Sequence, residues 1–86
     1  MDIKQILQAF MVTGVHINDT RYTVDKYTIT STSYPTTNLI LHLGKVEVPI
    51  TLDRNLSTNE IIQEITNQSQ AYLNDIQEIV NMIKFN

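Results

Sequence analysis

Apolar residues along this chain recur first at helical spacing, then at every second position, then at helical spacing again. Ile3, Ile6, Leu7, Phe10 and Met11 share one face of a first helix, and Gly14 stands where such a helix would stop. Val15-His16-Ile17 and Arg21-Tyr22-Thr23-Val24 flank Asn18-Asp19, a pair suited to a tight hairpin turn. The second strand is expected to run on toward Ser31 through a stretch rich in Thr and Tyr. Its apolar positions change parity between Val24 and Tyr27, which a bulge near Asp25-Lys26 or a twisted edge would explain. Ser31 to Asn38 reads as a Ser/Thr loop with Tyr34-Pro35 in it.

The clearest alternation comes next. Leu39, Leu41 and Leu43 precede Gly44-Lys45, and Val46, Val48 and Ile50 follow it. A two-residue turn pairs Leu43 with Val46, Leu41 with Val48 and Leu39 with Ile50, so that register and burial agree. Ile40, His42, Glu47, Pro49 and Thr51 then share the opposite face. Pro49 has no N–H to give a ladder, which places its strand at a sheet edge.

Ser57 to Lys84 reads as one long helix. Leu56, Ser57, Glu60 and Ile61 supply a hydrophobic staple, an N-cap and a capping glutamate. Ile62, Ile65, Tyr72, Leu73, Ile76, Ile79, Val80 and Ile83 form the apolar stripe expected to cover the sheet. With Thr58 and Ser69 included, the row from 58 to 83 steps by four and three, a spacing that a coiled-coil dimer also uses. A helix of about 40 Å is long for a domain of this size, so a break near Gln68-Ser69-Gln70 is an open alternative. The elements define an α+β domain spanning residues 1–86: an N-terminal helix, a three- or four-stranded antiparallel meander, and a long C-terminal helix on one sheet face.

Composition narrows the classes further. Cysteine is absent, which removes disulfides and thiolate chemistry and fits a reducing compartment. The chain start lacks a basic-then-apolar secretion pattern, and no apolar run approaches membrane-spanning length, so a soluble cytoplasmic protein is expected. Acids and bases cancel over residues 1–56, so the net charge of −3 belongs to the C-terminal segment. Without a basic cluster, the chain is a poor candidate for direct nucleic-acid binding.

That charge has a place. Glu60, Glu64, Asp75 and Glu78 fall within one narrow arc of the last helix, on the side away from its apolar stripe. Gln63, Asn67, Gln70, Asn74, Gln77 and Asn81 run between acids and stripe as a ladder of amides. Such faces are ordinarily solvated, but together they could meet a partner protein with a basic surface. Tyr34, held by Pro35, is a rigid amphipathic anchor of the kind found at interfaces, with Tyr22 and Tyr27 as neighbours if their strand presents that face. His42 should lie opposite Glu47, and with His16 as the other imidazole there is no metal-ligand spacing; no cofactor is implied. No spaced nucleophile-and-base set is present, so an enzyme is not expected.

In element order the chain resembles the double-stranded-RNA-binding domain. That family docks RNA through a Lys-rich start to its last helix, where this chain has Ser57-Thr58-Asn59-Glu60. The chain also resembles small phage anti-CRISPR proteins in size, element order and mild acidity. Local echoes are Met1-Asp2-Ile3 opening a helix, Tyr22-Thr23-Val24 opening a strand, and Tyr72-Leu73-Asn74-Asp75-Ile76-Gln77 near the end. That resemblance implies a phage or mobile-element protein that inhibits a host nuclease by offering carboxylates to its DNA-binding cleft. The expectation is therefore a non-enzymatic module that binds a host or phage protein. The alternative is a structural or accessory protein that forms a homodimer through the C-terminal helix or the edge strand.

Overall fold

The protein is described by a computed structural model, which covers the backbone from Asp2 to Lys84 and the side chains from Asp2 to Gln77. Helix α1 (Ile3–Thr13) leads into a hairpin of β1 (Val15–Ile17) and β2 (Thr20–Tyr22). Strands β3 (Lys26–Ser31), β4 (Thr36–Leu43) and β5 (Val46–Asp53) follow, and helix α2 (Thr58–Lys84) closes the chain. The architecture is α+β as expected, but the strands divide into a two-stranded sheet and a three-stranded antiparallel sheet ordered β3-β4-β5.

Asp2 caps α1. Its carboxylate accepts the Gln5 N–H at 2.9 Å while Gln5 Oε1 accepts the Asp2 N–H at 3.0 Å, a reciprocal box at the helix start. At the other end Gly14 adopts φ 76° and ψ 178°, and its N–H donates to Phe10 at 2.7 Å. Arg21 crosses from β2 to donate to the last carbonyls of α1, Thr13 at 2.7 Å and Val12 at 3.3 Å. The Asn18-Asp19 turn forms as expected, with φ positive at both residues, the geometry that matches strand twist.

The parity change after Val24 has a different cause from the bulge expected at Asp25-Lys26. The chain leaves one sheet there and enters the other: β2 ends at Tyr22, Val24 is buried, and β3 begins at Lys26. Asp25 pins the crossing, its N–H donating to His42 at 2.9 Å and its carboxylate accepting the Gly44 N–H at 2.9 Å. The register shift falls later, between Ile29 and Ser31. The expected loop from Ser31 to Asn38 is also shorter, because Thr36 already pairs with Asp53.

The β4–β5 hairpin has the register read from its alternation: Leu43 opposite Val46, Leu41 opposite Val48, Leu39 opposite Ile50. Those leucines, Val48, Ile50 and Leu52 form the buried face of the sheet, closed over by Ile6 and Leu7 of α1 and Ile61 and Ile65 of α2. β5 lies at the edge, as Pro49 requires. Helix α2 runs unbroken through Gln68-Ser69-Gln70. Packing on β5, β1 and α1 supplies the support that a helix of about 40 Å would otherwise lack.

Candidate functional site

The orientation of α2 decides which of its side chains are available. Ile61, Ile65 and Ser69 are its fully buried row, whereas Ile62, expected in that row, is 39% exposed and turned toward Phe10 and Ala9 of α1. The helix is thus rotated relative to the stripe read from sequence, because Ile61 serves the core as well as the staple. At about 100° per residue, this rotation carries the amide ladder to the side farthest from the sheet. The acids move to the adjoining flank, between the ladder and Gln68, and Glu64 there is half-buried. Glu78, Asn81 and the stripe residues Ile79, Val80 and Ile83 lie outside the described side chains.

Each member of the expected contact surface has a definite role. Glu60 closes the capping box: Ser57 N–H donates to its Oε1 at 3.1 Å, and its own N–H donates to Ser57 Oγ at 3.2 Å. The Ser57 N–H, followed by the Ser57 hydroxyl, holds the Glu60 carboxyl below the usual range. Because that value is depressed by folding, the contact is present at neutral pH and is lost as acid protonates the group. Gln63 Nε2 donates to Asn67 Oδ1 at 3.0 Å, along the ladder. Gln70 is engaged within the chain: its Nε2 donates to Asn18 Oδ1 at 3.2 Å and ties the β1–β2 turn to α2. Glu64, Asn74 and Asp75 make no hydrogen bond or ion pair among the described residues. Tyr34 stays at its loop tip, 71% exposed, its hydroxyl donating to Asn55 Oδ1 at 2.8 Å just before α2 begins. Tyr22 and Tyr27 do not join it; both are half-buried against the core.

Gln68, expected only as part of a possible helix break, carries a contact that covers the sheet edge. Its Oε1 accepts the Thr51 N–H at 2.9 Å and its Nε2 donates to the Thr51 carbonyl at 2.7 Å. A side-chain amide thereby stands in for a neighbouring strand on the outer edge of β5, where Pro49 also offers no N–H. The Thr51 backbone groups on this edge are thus paired within the chain, and Ile65 and Ser69 of the helical seam are buried in the chain's own core. Gln68→Ala should lower stability by about 1–2 kcal/mol through two lost hydrogen bonds. Light scattering should then find the wild type monomeric and the variant associated through its opened edge. Equal stability and equal size for both proteins would contradict this role.

On the outer sheet face His42 Nδ1 lies 3.8 Å from Glu47 Oε1, with Thr28 Oγ1 at 3.3 Å from its Nε2. His16 is exposed on β1, opposite Arg21. Among the described residues no three or more His, Cys, Asp or Glu side chains gather as a metal-binding group. No helix there is long and apolar enough to cross a membrane. No known protein family, curated protein or solved structure matches the chain.

Proposed function

We propose that this protein is a non-enzymatic binding module that contacts a host protein, such as a defence nuclease, through the outer surface of α2, and inhibits or modulates it. One observation carries the reading. Asn74 and Asp75 are exposed and Glu64 is half-buried on the flank of a helix whose buried row is Ile61, Ile65 and Ser69, and none of these three side chains bonds to the rest of the described chain. Carboxylates beside uncharged amides give a face of one charge sign, with no cation between Ser57 and Gln77 to neutralise it. Such a face steers toward a basic surface, and the amides add hydrogen bonds without desolvating charge. A basic surface on a nuclease is where nucleic acid binds, so covering it is inhibitory.

Charge reversal tests the proposal. The pair Glu64→Lys and Asp75→Lys should leave stability within about 0.5 kcal/mol, as surface substitutions do, and weaken partner capture by tenfold or more. Undiminished capture by the folded variant would contradict the acidic surface as the contact.

A further inference from the structure

A cavity of about 320 Å³ opens where the start of α1 meets the sheet and the approach to α2. Ile29, Leu56 and Ile61 give it an apolar lining, while Lys4, Arg54 and Thr37 supply its polar groups. Residues as far apart in the chain as Asp2 and Ile61 are gathered here, so no local pattern announces the site. Glu64, Asn74 and Asp75, assigned to partner contact on α2, do not line it.

The polar groups are arranged to donate. Arg54 Nε donates to Thr37 Oγ1 at 2.8 Å, which fixes the guanidinium and leaves both of its terminal nitrogens with protons to give. Thr37 is only 2% exposed, and its oxygen is occupied as an acceptor, so its own proton remains to be donated. Lys4 has no ion pair among the described residues. Asp2 is the one carboxylate lining the cavity; its Oδ1 accepts the Gln5 N–H at the α1 cap, and its single charge is outnumbered by Lys4 and Arg54. In a chain of net charge −3, this is a local excess of unpaired cation over an apolar surface.

An inorganic dianion would leave the apolar lining unused, and the Asp2 carboxylate would repel its two charges more strongly than the single charge of a monocarboxylate. A purely apolar ligand would bury Arg54 and Thr37 donors without acceptors, at a cost comparable to the hydrogen bonds lost. We infer that this cavity binds an organic monocarboxylate with a compact apolar body, either a free acid or the carboxyl-terminal residue of a peptide. The carboxylate sits between Arg54, Lys4 and Thr37, where a fixed guanidinium can hold both of its oxygens. The apolar body rests on Ile29, Leu56 and Ile61. The volume stands at the small end of ligand sites, roughly 300–1,000 Å³, and suits a single ring or a branched chain.

The test is titration followed by NMR of the intact protein, with 3-phenylpropionate, its amide, inorganic phosphate, and a short peptide ending in Leu as free acid or amide. The acids should shift the amide signals of Lys4, Thr37 and Arg54. Binding should fall about tenfold in Lys4→Gln, a change on the exposed first turn of α1 that keeps the fold, and at least as far in Arg54→Gln. Tighter binding of the peptide acid identifies a protein terminus as the source, and tighter binding of the free acid identifies a small molecule; each supports the site. No shift at these residues, equal binding of the amides, or preference for phosphate would overturn it.

Discussion

Leu41→Ala should lower the unfolding free energy by about 3 kcal/mol, and by anything from roughly 2 to 5, the range for a large side chain removed from a packed core. Leu41 is fully buried on the central strand, opposite Val48, between the other sheet leucines and the two helices. It belongs to a cluster of buried side chains drawn from both sheets and both helices, so the hole left behind is expected to stay largely open. A domain of this length has about 4–13 kcal/mol of stability in all. The substitution should therefore lower the melting temperature by about 10–25 °C. A loss under about 1 kcal/mol in urea denaturation would mean that the sheet face is not the continuous core described here.

Gly14→Ala should cost about 2–3 kcal/mol by a different mechanism. At φ 76° and ψ 178° the residue occupies backbone space that side chains rarely enter. An added Cβ would also stand 2.8 Å from the Tyr22 carbonyl oxygen and 3.0 Å from Arg21 Nε. The carbonyl is backbone and cannot swing aside, and the Arg21 Nε is the group that caps α1 at Thr13. The change thus strains the hinge between α1 and the first hairpin and disturbs the α1 cap together. Gly44→Ala provides the comparison, because that glycine has positive φ but open space around it. Thermal melts should rank Gly14→Ala as the more damaging; the reverse order would refute the close approach of β2 to the helix end.

These two positions also show where the sequence is legible. Gly14 marks a helix stop by a local rule, and the leucines of β4 announce their face by alternation, since each signal lies within a few residues. The Ser57 and Glu60 box is local in the same way. A matching signal at Asp2 and Gln5 was available, because an acid followed three residues later by an amide has the same capping logic. The crossing between sheets at Val24 was visible only as a parity change, for which a bulge is the local explanation and a change of sheet the tertiary one.

The candidate surface was less legible than the fold. Glu64, Asn74 and Asp75 could be grouped by helical spacing, yet Ile61 replacing Ile62 in the buried row takes Asn74 to the far side of the helix and brings the acids to its flank. By spacing Gln70 is one more rung of the amide ladder, whereas its contact with Asn18, across 52 positions, gives it a structural role. The Gln68 contact has no signal in the sequence, because an amide closing a strand edge is recognisable only when the strand lies beside it. Long-range polar contacts depend on the fold that brings them together, and the hydrophobic period that foretells the fold carries no information about them.

The outer surface of α2 as the contact face is the central claim, and carboxylate footprinting tests it most directly. Exposed Asp and Glu side chains would be coupled to an amine reagent in the free protein and in the complex with its captured partner, then quantified by mass spectrometry. Glu64 and Asp75 should be labelled less in the complex, while Asp19 on the β1–β2 turn and Glu47 on the outer sheet face should be labelled equally in both. Protection of Asp19 or Glu47, with Glu64 and Asp75 labelled as in the free protein, would place the contact elsewhere and contradict the account.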